Sequence, residues 1–204
     1  MNILRCGLTQ ALVELDTQEE VLAWHASVRE SRPNGVLEVI PAARTVLVRF
    51  DPKQTSFTRL RDELVALPVL ERISQRVSEV VVPVRYDGPD LPEVVTATGL
   101  CREEVIARHS SATYTVAFCG FSPGFGYLTG LDPALHLPRR ANPRTSVPAG
   151  SIALADEYTG VYPRSSPGGW RLIGTSELVA WDLYRDPPAL FTPGTRVRFE
   201  VIGA

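Results

Sequence analysis

Between Gly120 and Gly174 the chain carries three segments whose residue types could build a small cationic pocket: GFSPGFGYL (Gly120–Leu128), PRRANPRTSVPAG (Pro138–Gly150) and TGVYPRSSPGGWRLIG (Thr159–Gly174). From Leu137 to Arg171 there are five arginines, Arg139, Arg140, Arg144, Arg164 and Arg171, and two acids, Asp156 and Glu157. A guanidinium fork binds carboxylate or phosphate through two parallel hydrogen bonds, and neighbouring prolines reduce the entropy lost on ordering the loop. Arg140, ahead of a turn, and Arg171, set at a strand entrance by Gly168-Gly169-Trp170, are the first candidates for holding an anion, with Arg144 beside them. Gly120, Gly124 and Gly126 remove Cβ obstruction, so amides around Gly124 to Gly126 could point at an anion or a carbonyl oxygen. Gly124, Phe125, Gly126 and Tyr127 join the arginines as candidate substrate contacts; Phe121 and Phe125 also suit a barrel core.

His109 stands at the expected C-terminal end of a helix, where the macrodipole favours the protonated ring and would raise its pKa. It is the candidate general acid or base; its alternative role is to cap the last carbonyls. His25, on an apolar helix face, and His136, in a loop, rank lower. Gly120-Phe121-Ser122-Pro123-Gly124 matches Gly-x-Ser-x-Gly formally, but proline follows the serine and no helix pattern follows the turn, unlike a nucleophile elbow. No histidine pair has metal-ligand spacing, Cys119 lies in an apolar strand, and neither phosphate-loop signature occurs.

The elements that must position these residues fall into two kinds. At 204 residues the chain suits one or two domains, and 44% hydrophobic with 22% charged residues and a net charge of -2 leave no global field for nucleic acid or membrane. Cys6, Cys101 and Cys119 are odd in number and widely spaced, which fits a reducing cytoplasm better than a disulfide framework. No secretory leader or membrane span is expected. Leu8–Leu15 has strand character; Thr17 to Glu20 forms a capping box for a helix with Val21, Trp24, His25 and Val28 on one face. Val36–Ile40 and Thr45–Phe50 suit a hairpin, Ser56–Leu67 a helix stopped by Pro68, and Glu79–Arg85 a strand that could close this domain or belong to the next. The order β-α-β-β-α-β predicts an α+β, split βαβ-like domain over residues 1–78.

From residue 79 to 204 the pattern predicts a mainly β domain. Two short helices, from Asp90 to Gly99 and from Cys101 to about His109, precede short apolar runs at Tyr114–Phe118, Ser151–Leu154, Arg171–Ile173, Leu178–Trp181 and Arg196–Ile202. Many short strands with Gly/Pro connections predict a closed or sandwiched sheet.

FCGFSPGFGYL (from Phe118), LPRRANPRTSVPAGSIAL (from Leu137), TGVYPRSSPGGWRLIG, the closing FTPGTRVRF (from Phe191) and the upstream EEVIARH resemble the KipI family, also called allophanate hydrolase subunit 1 or the B-type subunit of 5-oxoprolinase. The resemblance implies a cyclophilin-like barrel behind the α+β domain, and a companion subunit (allophanate hydrolase subunit 2, KipA-like, or the C-type subunit of 5-oxoprolinase). It further implies ATP-dependent hydrolysis of a small amide or lactam, with ATP bound by the complex at a site that these residues do not locate, and with the metal requirement unknown. Two other roles come with it: inhibition of a sensor histidine kinase, and a carboxyltransferase component of a biotin-dependent urea carboxylase. A biotin carrier would have to lie elsewhere, since one methionine cannot form Met-Lys-Met. Two departures bear on substrate identity. Tyr158 stands where relatives commonly have glutamine before Thr159-Gly-Val-Tyr-Pro163, and Thr175-Ser176-Glu177 stands where many carry an arginine after Gly174.

Overall fold

The computed structural model of the chain describes residues 1–67 and 78–203. The chain divides into two compact units, Met1–Arg76 and Val77–Ala204. Pro68, expected to stop the second helix, lies outside the described residues.

The first unit runs β1 (Asn2–Cys6), β2 (Gln10–Glu14), α1 (Gln18–Ser31), β3 (Val36–Pro41), β4 (Thr45–Phe50) and α2 (Phe57–Ala66). Its sheet has the order β1-β2-β4-β3, antiparallel throughout. Thr17 caps α1 as its sequence predicts: the Glu20 amide donates to Thr17 Oγ1 at 3.2 Å, and Glu20 Oε2 accepts from the Asp16 amide at 2.9 Å. Such a cap contributes about 1 kcal/mol. Val21, Trp24 and Val28 bury against Val13, Val46, Val48 and Phe50 of the sheet and Leu60 and Leu64 of α2. β1, which has no strong strand signature, forms because Gly7, at φ 66, turns the chain so that Asn2 to Cys6 pair with Glu14 to Gln10. The expected closing strand is absent from this sheet. Glu79–Val84 pairs instead, in parallel, with the C-terminal strand of the second unit, so the six-element split βαβ order is replaced by four strands and two helices.

The second unit runs β5 (Glu79–Val84), α3 (Leu91–Thr98), α4 (Arg102–Ser111), β6 (Tyr114–Cys119), β7 (Gly126–Thr129), β8 (Arg144–Val147), β9 (Ser151–Ala155), β10 (Tyr158–Val161), β11 (Ser166–Gly168), β12 (Arg171–Thr175) and β13 (Arg196–Val201). Seven of these strands form one sheet in the order β12-β9-β10-β7-β6-β13-β5, and β8 and β11 make a separate hairpin. Arg85 and Thr175 exchange backbone hydrogen bonds of 2.9 and 2.8 Å, which nearly close the sheet into a barrel. β9 is buried along its whole length. Ile152 and Leu154 enter the core shared with Val116, Leu128, Phe191 and Val197, whereas Ala153 and Ala155 face Phe125, Tyr162 and Trp170. Alternating large and small side chains thus make room for rings on one face only.

The expected run at Leu178–Trp181 is not a strand. Only Trp181 makes a bridge, to Ala189, within a loop. Conversely, β7, β8, β10 and β11 lie inside the three Gly/Pro-rich segments, where the residues suggested turns alone.

Barrel closure depends on a missing side chain at Gly174, where a Cβ would sit 2.5 Å from Arg85 O and 2.9 Å from Val84 Cγ1. The Gly174→Ala variant is therefore expected to lose about 2 kcal/mol or more of unfolding free energy. Urea unfolding read by tryptophan fluorescence checks this; an unchanged midpoint would mean that the closing contact can relax freely.

Candidate functional site

The second and third of the three loop segments meet over the N-terminus of α3. Asp90, 3% exposed at its side chain, accepts a bidentate fork from Arg144, with Nη1 to Oδ2 at 2.9 Å and Nη2 to Oδ1 at 2.7 Å. It also accepts from the Leu172 amide at 2.7 Å and from Arg140 Nη1. Glu93, one turn along the same helix, accepts from Arg171 Nη1 at 2.5 Å and from Arg140 at 3.3 Å, while Arg171 Nε donates to Pro138 O at 3.1 Å. Burial pushes the Asp90 carboxyl up, but the Arg144 fork, the Leu172 amide and the charges of Arg144 and Arg140 outweigh it and hold it below the usual carboxylate range. The same fork raises the Arg144 guanidinium.

Arg140, Arg144 and Arg171 are thus brought together, but around two carboxylates of this chain. Of the two roles open to these arginines, anion contact or stabilising the fold, the contacts serve the second: their donors fasten the loops Pro138–Gly150 and Thr159–Gly174 to α3. The carboxylates were missed because Asp90-Leu-Pro-Glu93 reads as a helix start. The signal that could have found them is the excess of arginine itself, which requires counter-charges three residues apart on one helix face wherever the guanidinium groups are buried. Arg139 and Arg164 are exposed and make no ion pair among the described residues.

His109 is fully buried. Thr159 Oγ1 donates its single proton to Ala153 O at 2.9 Å, so its 3.0 Å contact with His109 Nε2 requires the ring to donate there. His109 Nδ1 then accepts from the Tyr86 hydroxyl at 2.7 Å. The ring also packs on Phe199, with centroids 4.5 Å apart. Burial lowers its pKa to about 3. The macrodipole expectation had the opposite sign, and the correction is physical: desolvation of a fully enclosed imidazolium exceeds the pull of a helix end, where Tyr114 Oη already donates to His109 O at 2.7 Å. In this chain the ring is neutral, enclosed and bonded at both nitrogens to Tyr86 and Thr159.

In the first segment the turn uses its own amides. The Ser122 amide donates to Gly120 O at 2.7 Å and the Phe125 amide to Ser122 O at 3.0 Å, so the Phe125 amide is not free for an anion as expected. Phe125 is buried between Tyr162 and Trp170, and Gly126 opens β7 opposite Cys119. Gly124 packs under Trp181. Phe121, a core candidate, instead stands 58% exposed on a left-handed backbone with φ 65.

A half-buried aromatic wall remains. Phe118 and Tyr127, paired across β6 and β7, stack with centroids 4.3 Å apart, and Tyr158 meets each edge-on at 5.7 Å. Trp170 and Phe125 back Tyr127 from behind. Burial, then the neighbouring Glu157, raises the Tyr158 phenol to about 12, and burial raises the Cys119 thiol to about 11, so neither ionises near neutrality. Arg139 lies close enough to Tyr162 to act on its phenol electrostatically. Among the described residues no cluster of His, Cys, Asp and Glu side chains could hold a metal ion, and no helix is long and apolar enough to cross a membrane.

This arrangement has counterparts in known proteins. The family model "Carboxyltransferase domain, subdomain C and D" matches residues 1–191. The chain belongs to this family. It is 39% identical to the B-type subunit of 5-oxoprolinase from Escherichia coli O157:H7, over 98% of this chain and 96% of that protein. Among solved structures, TTHA0988 superposes with a TM-score of 0.85 at 38% identity over 97% of this chain, which spans only 40% of that longer one. The Kluyveromyces lactis urea amidolyase shares the fold, with a TM-score of 0.76 at 20% identity, and this chain spans 15% of it. This chain is thus similar both to a protein of about its own length and to part of longer chains.

Two groups make the second unit sensitive to acid, in the same direction. His109 is held below its ordinary value of 6.5, so the stability it lends is complete above that pH and declines as pH falls toward about 3. Asp90, held below 3.8, adds a further loss at lower pH. His109→Gln is expected to be less stable at neutral pH, yet to show a flatter stability profile between about pH 6.5 and pH 4 than the native chain. Asp90→Asn leaves Arg144 without its counter-charge and Arg140 with Glu93 alone, and is expected to cost about 3 kcal/mol. Chemical unfolding across pH checks both; parallel profiles for native and His109→Gln would exclude the buried ring as the source.

Proposed function

We propose that this chain is the B-type subunit of an ATP-dependent hydrolase of a small amide or lactam, with 5-oxoproline as the substrate to test first, and that it works with a companion chain. The observation that carries the reading is the match of almost the whole chain to the B-type subunit of a 5-oxoprolinase, over almost all of that protein. ATP would be bound by the assembled complex, in the cytoplasm. In this reading the barrel is of the cyclophilin-like class and the first unit is a variant of the split βαβ arrangement, with β4 between β2 and β3.

The geometry favours a role in holding substrate over a role in proton transfer. The aromatic wall of Phe118, Tyr127 and Tyr158 suits one face of a flat amide ring. Arg139, exposed and without an ion pair among the described residues, is the donor we assign to the substrate carboxylate; Arg140, Arg144 and Arg171, paired with Asp90 and Glu93, hold the loop that presents it. A carboxyltransferase role is the second reading, favoured by the description of the family model and by the fold of the urea amidolyase.

The test is to co-express the chain with its companion and follow ATP-dependent conversion of 5-oxoproline to glutamate, in which water adds across the lactam C–N bond as ATP is hydrolysed. Turnover by the complex supports the reading; ATP-dependent carboxylation of urea without lactam opening would move it to the second. Arg139→Ala is expected to raise KM about tenfold with kcat little changed, as for loss of one charge-assisted contact. An equal fall in kcat at constant KM would show that Arg139 acts in the transition state and not in binding.

A further inference from the structure

Exposed apolar side chains in the second unit are concentrated on two adjacent segments. Of the seven exposed large hydrophobic residues among its described residues, five sit there: Phe121 (58% exposed), Val179 (59%), Trp181 (37%), Leu183 (75%) and Tyr184 (101%). Phe121 and Trp181 border a groove of about 540 Å³ whose floor includes Phe191, Ala189 and Pro193. Scattered apolar residues need no explanation, but Phe and Trp side chains bordering an apolar groove, with exposed Leu183 and Tyr184 on the same short segment as Trp181, have the composition of an interface centre.

The segment is also held rigid. Arg185 donates to four carbonyls of its own loop: Nη1 to Val179 at 3.1 Å, Nη2 to Ala180 at 3.2 Å and Pro188 at 2.8 Å, and Nε to Pro187 at 3.4 Å. The Asp182 amide donates to Pro188 O at 3.0 Å, and Asp182 Oδ1 accepts from the Tyr184 amide at 2.9 Å. Ala180 and Phe191, each 1% exposed, root both ends in the barrel core. Gly124 brings the other segment against it, since a Cβ there would lie 2.6 Å from Trp181 Cβ. The backbone is thus fixed from within while its large side chains face solvent, and Phe121 is displayed from a left-handed conformation that costs a non-glycine residue about 1 kcal/mol or more. Ordering a loop before association removes part of the entropy cost of binding, which is the property expected of a docking surface and not of a connection.

We propose that this face, the 179–184 segment with Phe121 and the groove between them, is the docking surface for the companion chain, which would seat an apolar side chain in the groove. The inference rests on the subunit reading above. What selects this occupant is that the module occurs both as 40% of one longer polypeptide, TTHA0988, and as nearly the whole of the separate B-type subunit of Escherichia coli. When the remainder is a separate chain, the module needs an exposed apolar surface to retain it. The family model runs to residue 191, so it includes the whole segment.

The experiment uses the full chain and, as probe, the protein of the same genome that matches the remainder of the TTHA0988 chain, with Kd measured by calorimetry. Leu183→Asp and Tyr184→Asp are each expected to weaken binding about thirtyfold, the loss typical of an interface centre. Arg185→Lys, which keeps the charge but loses the fork, is expected to weaken it about tenfold although no contacting side chain is removed. Val65→Asp, an exposed apolar position in the first unit, should leave Kd within about twofold. Because Leu183 and Tyr184 are solvent-facing, unchanged thermal midpoints are expected and separate lost docking from lost folding. Binding by the native chain that survives both aspartate variants overturns the surface assignment alone. No binding by the native chain overturns the subunit reading together with it. A native homodimer that Leu183→Asp dissociates, with companion binding unaffected, reassigns the face to a second copy.

Discussion

The second unit depends on one buried carboxylate. Asp90 satisfies the Arg144 fork, Arg140 and the Leu172 amide at once, and in doing so ties the start of α3 to β8, to the loop before it and to β12. Each of those segments is rich in glycine or proline and makes few regular backbone ladders, so it has little intrinsic reason to adopt a single shape. A charge-saturated carboxylate supplies that reason, because any displaced loop would leave an unpaired ion in a site where Asp90 is almost fully enclosed. Glu93 repeats the device one turn further on, at a more exposed position, with Arg171.

A second, neutral chain of hydrogen bonds does the same work at α4. Tyr86, His109, Thr159 and Ala153 O form a directed series in which each hydroxyl proton has one assignment, linking α4 to β10 and β9. Thr159 opens the Thr-Gly-Val-Tyr-Pro motif, and each of its next members is fixed by packing. A Cβ on Gly160 would lie 3.0 Å from Gly126 O and 3.2 Å from the Phe125 ring, Val161 is in the core, and the Tyr162 hydroxyl approaches Gly168. The motif therefore reads as a structural solution for crossing the aromatic layer.

What the sequence made legible was whatever is decided within a few residues. Thr17 and Glu20 announce α1, Gly99 separates α3 from α4, and Ile152-Ala-Leu-Ala155 announces β9. Non-local decisions were not legible. Glu79–Val84 looks like the last strand of the first unit because it follows α2, yet its partner is β13, at the far end of the chain. Tyr158–Val161 and Gly126–Thr129 look like turns because their glycines accommodate aromatic rings across the sheet and not a reversal of the chain. The site shows the same limit. Local charge made Arg140, Arg144 and Arg171 look free, since the acids that neutralise them lie about fifty to eighty residues earlier, and a helix end made His109 look ready to carry a proton because sequence does not report enclosure.

The groups that the second unit encloses are each held in the state hardest to use in catalysis. His109 is neutral and bonded at both nitrogens, Cys119 keeps its proton, and Asp90 is ionised and saturated. Their perturbation serves folding, so a strongly shifted pKa is here a mark of scaffold and not of chemistry. What the surface offers is of another kind: a flat aromatic wall, two exposed arginines and a rigid apolar loop. Those are features suited to holding and orienting a guest, which is how the proposed function uses them.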